Sequence, residues 1–378
     1  MSGATVSERP AAITVPVALA DRSYDIVIGS GLVGEAGVRI ARLRPGTAVA
    51  IVTDDVVAPL HLQRLEGALS AAGIRARSIV IPAGEASKNY RTLETVIEAI
   101  LDARIERGDL VIALGGGVVG DLAGFAAAIA RRGIDFVQIP TTLLAQVDSS
   151  VGGKTGVNTR HGKNLIGSFH QPALVLADID LLDTLPQRQF RAGYAEVVKY
   201  GLIADAPFFS WLDQKREEVF SGGMARAEAI ATSCRHKAAI VARDERETGE
   251  RALLNFGHTF GHALEAATGY SDRLLHGEAI AIGFVLAFDL SSRLGLCNPA
   301  EGKRAAAHLS AAGLPTHLSQ IPGALPGTDA LLDLMSQDKK VRRGNLTFIL
   351  TRGIGQAFVQ TKVDIEPVRH ILDQARQA

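Results

Sequence analysis

The chain has 378 residues, 47% hydrophobic and 21% charged, the proportions of an ordinary globular protein, and a length that suggests two domains. Its 40 Lys and Arg balance 40 Asp and Glu, so bulk charge gives no footprint for nucleic acid or an acidic membrane surface. Cys234 and Cys297 form neither a C-x-x-C pair nor a metal-spaced cluster, which points to reduced thiols in a cytoplasmic protein. Met1 to Ala12 lacks the basic stretch and apolar core of a signal peptide. The longest apolar run, Ala279 to Phe288, is about half the length of a membrane span and reads as a buried helix.

The first half alternates strand-like and helical patterns. Ala48–Thr53 is an apolar run ending at Asp54, and His61–Ala72 has helical spacing and stops at Gly73. Arg77–Ile81 is a second run, Thr92–Arg104 reads as a helix, and Asp109–Leu114 and Phe136–Ile139 are further runs. This alternation predicts a Rossmann-like parallel sheet covered by helices over 1–185. Over 186–378 helical patterns dominate: Phe190–Ile203, Met224–Asp244, Asn255–Ala267, Glu278–Leu294 and Lys303–Ala312, with a small strand at Leu346–Thr351. The expected architecture is an α/β domain followed by a mainly helical one, with an active site in the cleft between them.

The run Leu110–Leu114 enters a glycine cluster: Gly115, Gly116, Gly117, Val118, Val119, Gly120, Asp121. Gly115, Gly117 and Gly120 satisfy G-x-G-x-x-G between a strand and a helix predicted over Leu122–Ala130. Such glycines let a phosphate approach backbone N–H groups at a helix N-terminus. Asp54, at a strand end, could accept from ribose hydroxyls or simply cap a turn. Glu85 and Lys88 follow another strand, in a loop whose local pattern by itself favours a solvated surface. Gly153-Lys154-Thr155 resembles the end of a Walker loop, but that loop needs glycine at 148, where Asp148 stands, so an ATPase is excluded. Lys154, Lys163 and Asn164 lie in a glycine-rich stretch suited to a substrate phosphate or carboxylate.

Three of the 10 histidines, His258, His262 and His276, crowd into one short segment. His258 and His262 share one helix face, and His276 opens the next helix. Glu196 and Lys199 sit one helical turn apart on an earlier helix. One carboxylate with two or three imidazoles suits an open zinc-type site. Spacing alone favours His258 with His262 and leaves the ligand set open. A zinc protease is excluded because H-E-x-x-H needs glutamate at 259, where Thr259 stands.

Taken together and in order, these strings resemble the 3-dehydroquinate synthase family. They are Gly84-Glu85 with Lys88, Gly115–Asp121, Pro140 to Leu144, Val147 to Thr155, Lys163-Asn164, Ala195 to Lys199, Arg251 with Asn255, His258 and His262, Leu275 to Glu278, and Asp338 to Lys340. The resemblance runs from about Tyr24 onward. It implies a metal, Zn2+ or Co2+, held by Glu196, His258 and His276, with His262 as a catalytic or substrate-contacting residue. It implies NAD contacts from Asp54, Glu85, Lys88, the Gly115–Asp121 turn, Thr141, Thr142, Asp148, Lys154 and Lys163. It implies substrate contacts from Lys154, Asn164, Lys199, Arg251, Asn255 and one of Lys339 or Lys340. Arg132 matches an arginine that reaches a neighbouring subunit's phosphate site, which implies a homodimer.

The implied reaction converts 3-deoxy-D-arabino-heptulosonate 7-phosphate, a phosphorylated sugar acid, to 3-dehydroquinate. Transient oxidation at C5 by NAD acidifies the C6 proton, phosphate leaves by β-elimination, hydride returns, and an intramolecular aldol reaction closes the carbocycle. The enzyme is therefore expected to be a carbon–oxygen lyase of aromatic amino acid biosynthesis. Two rivals share its architecture: a sibling sugar-phosphate cyclase, and a metal-dependent polyol dehydrogenase with net hydride transfer.

Overall fold

The computed structural model describes residues 11–247, 249–337 and 346–377. Strands β1 (Ile13–Val17) and β2 (Tyr24–Gly29) precede helix α1 (Leu32–Leu43) and strand β3 (Ala48–Asp54). Then come α2 (Gln63–Ala71), β4 (Arg75–Ile81), α3 (Tyr90–Asp102), β5 (Leu110–Gly115), α4 (Gly117–Ile129) and β6 (Asp135–Pro140). A hairpin of β7 (Lys154–Thr159) and β8 (Gly162–Phe169) leads to β9 (Leu174–Asp178). Helices α5 (Gln187–Ala204), α6 (Ala206–Ser221), α7 (Gly223–Arg243), α8 (His258–Ala267), α9 (His276–Arg293), α10 (Pro299–Ala311) and α11 (Thr328–Gln337) follow. Strands β10 (Leu346–Thr351) and β11 (Ala357–Val363) and helix α12 (Ile365–Gln377) come last. The chain forms two compact units: Met1–Leu185 with Glu217–Ala242, and Pro186–Arg216 with Arg243–Ala378.

The first unit is built on a sheet of order β1-β2-β9-β6-β5-β3-β4, parallel throughout except for β1. Every residue of β3 and β5 is buried, as befits central parallel strands covered on both faces. Their side chains alternate between two cores. Val49, Ile51, Ile112 and Leu114 pack with Ile40 of α1 and Leu69 of α2. Ala50, Val52, Val111 and Ala113 pack with Val96 of α3 and Leu122 of α4. Strand β3 is followed outward by β4, whereas β5 is followed by β6 in the opposite direction. The order therefore reverses between β3 and β5, and the crevice past their carboxyl ends is where open α/β sheets bind ligands.

The second unit is organised on α9. Its run Ala279–Phe288 is buried throughout, with α5, α8, α10, α12 and β10 packed around it. Burial on all sides explains why the segment is apolar all round rather than on one stripe. No helix among the described residues is long and apolar enough to cross a membrane.

Candidate active site

In the first unit, Asp54 ends β3 and Gly115 ends β5, flanking the reversal point. Helix α4 starts inside the glycine cluster, with Gly116 as its N-cap and no side chain capping it. Its first N–H groups are thus left without a capping side chain, at the carboxyl end of β5. A Cβ at Gly120 would stand 2.8 Å from Gln138 Oε1, so that side chain would have to shift to admit one. The Asp54 carboxylate accepts from the backbone N–H of Val56 and Val57 at 3.0 and 2.8 Å, so one oxygen caps the turn after β3. Thr142 Oγ1 accepts from Ala145 N, while the hydroxyl of Thr141, beside it, is buried without a hydrogen-bond partner.

Lys88 is the hub of the polar network here. It is 4% exposed, its ammonium pairs with Asp121 in the first turns of α4, and it donates to Asn164 Oδ1 at 2.5 Å. Burial raises the Asp121 carboxyl above its ordinary value, and the nearby Lys88 charge opposes that rise. Glu85 accepts from Asn158 Nδ2 at 2.7 Å and lies 3.9 Å from Lys163 Nζ. Lys154 is exposed at the start of β7, and Lys163 and Asn164 lie on β8. Asp148 pairs with Lys237 Nζ at 2.8 Å. Arg132 is exposed in a tight turn where it and Arg131 both have left-handed backbone, φ 61° and 50°.

In the second unit, Glu196 on α5, His258 at the start of α8 and His276 at the start of α9 converge, with ligand atoms within 4.8 Å of one another. Glu196 Oε1 lies 3.7 Å from His258 Nε2 and 3.6 Å from His276 Nε2. These separations are too long for hydrogen bonds. They are close to the roughly 3–3.5 Å between neighbouring ligands of a tetrahedral zinc with bonds near 2.1 Å. His258 Nδ1 donates to the Phe256 carbonyl at 3.0 Å, and His276 Nδ1 donates to Glu265 at 2.9 Å. When neutral, each ring so bonded has its Nε2 lone pair on the side of Glu196, the donor set a divalent cation requires as it displaces the Nε2 proton. Burial would lower the His276 imidazole, but Glu265 and Glu196 outweigh it and push it up to about 10. A spot so disposed attracts positive charge.

Close backbone packing makes this convergence possible. A Cβ on Gly277 of α9 would stand 1.8 Å from the carbonyl oxygen of Ala192 on α5. The α8 N-cap is Gly257, whose φ of 74° and contact with α9 leave no room for a side chain. Arg188 of α5 grips Glu278 with two bonds of 2.7 and 2.8 Å, and Glu278 accepts from Leu275 N at 2.8 Å, fixing the first turn of α9.

Spacing alone favours His258 with His262, yet the fold gathers His258 and His276 about Glu196. His262 borders them, its ring 5.2 Å from that of His258 and 6.2 Å from that of His276. Lys199 is 1% exposed and its ammonium pairs with Glu196. Arg251, 2% exposed, donates to the Glu245 carbonyl, and Asn255 Nδ2 donates to Glu247 at 2.9 Å. Lys339 and Lys340 lie outside the described residues.

Models of the 3-dehydroquinate synthase N-terminal and C-terminal regions match residues 78–192 and 193–341. The 3-dehydroquinate synthase of Rhodopseudomonas palustris (strain TIE-1) is 62% identical over 368 residues, 96% of this chain and 97% of that one. The chain belongs to the 3-dehydroquinate synthase family. The 3-dehydroquinate synthase of Brucella ovis (strain ATCC 25840 / 63/290 / NCTC 10512) is 61% identical, covering 96% of each chain. Among solved structures, a 2-epi-5-epi-valiolone synthase from Streptomyces hygroscopicus subsp. jinggangensis 5008, with NAD+ and Zn2+ bound, has a TM-score of 0.85 at 30% identity and covers 95% of this chain and 98% of its own. A 2-deoxy-scyllo-inosose synthase complexed with carbaglucose-6-phosphate, NAD+ and Co2+ has a TM-score of 0.84 at 25% identity, over 96% of this chain and 100% of its own. A butanol dehydrogenase from Thermotoga maritima, 17% identical with a TM-score of 0.66, shares the fold.

Three site neighbours escape the sequence reading. Lys237 lies on a helical stripe with Ile230, Cys234 and Val241, all buried, so a lone charge in an apolar stripe was the available signal. Glu265 follows His258 by two helical turns on the same face. Asn158, which ties Glu85 to the backbone of Asn164, carries no local signal, because its partners come from β8 and from the turn after β4.

Proposed function

We propose that this chain converts 3-deoxy-D-arabino-heptulosonate 7-phosphate to 3-dehydroquinate and phosphate, with NAD and a divalent ion, Zn2+ or Co2+, as cofactors. The convergence of Glu196, His258 and His276, at spacings that suit a bridging cation, carries this reading. When bound, NAD takes and returns a hydride and the ion polarises the oxygen on the carbon undergoing oxidation.

The chain's own residues do the rest. The nucleotide lies along the Gly115–Asp121 turn, with Asp54, Glu85, Lys88, Thr141, Thr142, Asp148 and Lys163 around it. The α4 N-terminus suits its pyrophosphate, and the Thr141 hydroxyl supports the placement as a buried polar group in need of a partner. Lys154, Asn164, Lys199, Arg251, Asn255 and one of Lys339 or Lys340 hold the substrate phosphate and carboxylate. His262, half-buried beside the metal ligands, moves a proton at the reacting centre. Arg132, exposed in a turn of left-handed backbone, reaches the phosphate site of a second copy in a homodimer. The working compartment is the cytoplasm.

The test is incubation with the heptulosonate phosphate, NAD and zinc, following inorganic phosphate, carbocycle and NADH. Phosphate and 3-dehydroquinate without net NADH support the reading. Net NADH accumulation would make the protein a dehydrogenase, and turnover confined to a sugar phosphate lacking the carboxylate would make it a sibling cyclase.

A further inference from the structure

Glu265 has no role in the scheme above. It lies on α8 one turn after His262 and two turns after His258, so the three side chains share one helix face. The residue is 5% exposed, and a carboxylate so buried is tolerated only where a donor faces it. That donor is His276, whose Nδ1 is 2.9 Å from Glu265 Oε2. A carboxylate oxygen accepts, so Nδ1 carries a hydrogen, and in the neutral ring the lone pair is left on Nε2, the atom 3.6 Å from Glu196 Oε1. His258 obtains the same constraint from the Phe256 carbonyl within its own turn. The His276 ring is 31% exposed against 10% for His258, and it takes its acceptor from a different helix.

We infer that Glu265 is a positioning residue for the metal, fixing the tautomer and orientation of the His276 ring so that Nε2 faces Glu196. The inference rests on the reading that Glu196, His258 and His276 hold the ion. Its charge also strengthens the imidazole as a ligand. His262, Glu265 and His276 are themselves close enough to hold a cation. The hydrogen bond between Glu265 and His276 favours the positioning role, since Nδ1 of His276 and one Glu265 oxygen are already engaged with each other.

The experiment compares the chelator-stripped wild type with Glu196→Gln, Glu265→Ala and Glu265→Gln. Zn2+ affinity is read by competition with a chromophoric chelator, and geometry by the absorption spectrum of the Co2+ form. Glu265→Ala should weaken Zn2+ about 10–100-fold and change the Co2+ spectrum. Glu265→Gln keeps an oxygen that accepts from Nδ1–H, so it should recover part of the affinity. If the alanine variant does not fold, an affinity loss in the near-isosteric glutamine variant, at unchanged metal-free melting temperature, still supports the role. Wild-type affinity and spectrum in both Glu265 variants, with binding lost in Glu196→Gln, would overturn the inference and leave the metal reading standing. Undiminished affinity in Glu196→Gln would overturn the metal reading itself. A wild type that binds two ions and an alanine variant that binds one would make Glu265 a ligand, which also overturns the positioning role.

Discussion

Gly277 and Ala192 touch backbone to backbone: the space a Cβ would need at Gly277 is filled by the Ala192 carbonyl oxygen, 1.8 Å away. One helix carries Glu196 and the other opens with His276, so this contact sets the distance between two of the candidate ligands. Gly277→Ala must separate the helices. It should cost about 1–3 kcal/mol or more in stability and weaken Zn2+ binding. Calorimetry and a zinc titration check this, and wild-type zinc affinity in the variant would contradict it.

Removal of the metal should show in stability as well as in turnover. A ligand present at about 100 times its dissociation constant stabilises the folded state by about 2.7 kcal/mol. Chelation should therefore lower the melting temperature, and Zn2+ or Co2+ should restore it. In His258→Ala, which removes one imidazole from beside Glu196, added zinc should leave the melting temperature unmoved.

The Lys88–Asp121 pair is almost closed to water, with side chains 5% and 19% exposed. Lys88→Met leaves the carboxylate alone, and breaking a buried pair costs about 3–5 kcal/mol. Adding Asp121→Asn removes the stranded charge and should recover more than half of that loss. Urea denaturation without nucleotide measures both. A double variant no more stable than Lys88→Met would show that the lone carboxylate is not the cause.

Burial pushes the Cys234 thiol up to about 12. The thiolate is the reactive form, and at pH 8 roughly one thiol in ten thousand would be ionised. Native protein treated with iodoacetamide at pH 8 should carry no label at Cys234, and denatured protein should be fully labelled there. Peptide mass spectrometry reads the difference, and rapid labelling of Cys234 in the native state would show that it is not enclosed.

Local pattern was enough for the centre of the sheet. The runs at Ala48–Thr53, Asp109–Leu114 and Phe136–Ile139 all appear as strands, β3, β5 and β6, because central parallel strands are apolar on both faces. The helix after the glycines starts earlier than expected, at Gly117 rather than Leu122, since glycine propensity is overridden by packing of α4 against β5 and β6. Local pattern does not assign strands β1, β2 and β9 or helix α1. Their register depends on distant partners: Asp178 at the end of β9 accepts from Gly31 N and Val33 N at the start of α1. The hairpin that carries Lys154 and Asn164 likewise exists through cross-strand pairing.

By itself the sequence determined the strand–helix alternation, the glycine turn between β5 and α4, and a pool of side chains able to bind a cation. Periodicity reports on neighbours three or four residues away within one element, so it proposed His258 with His262. The resemblance named Glu196, His258 and His276, but only the tertiary structure brings their ligand atoms within 4.8 Å of one another, and only it makes Asp54 and Gly115 end adjacent strands where the sheet order reverses. The physical reason is that these residues sit on separate elements, and their separations are set by how closely glycine-bearing helices and paired strands can pack.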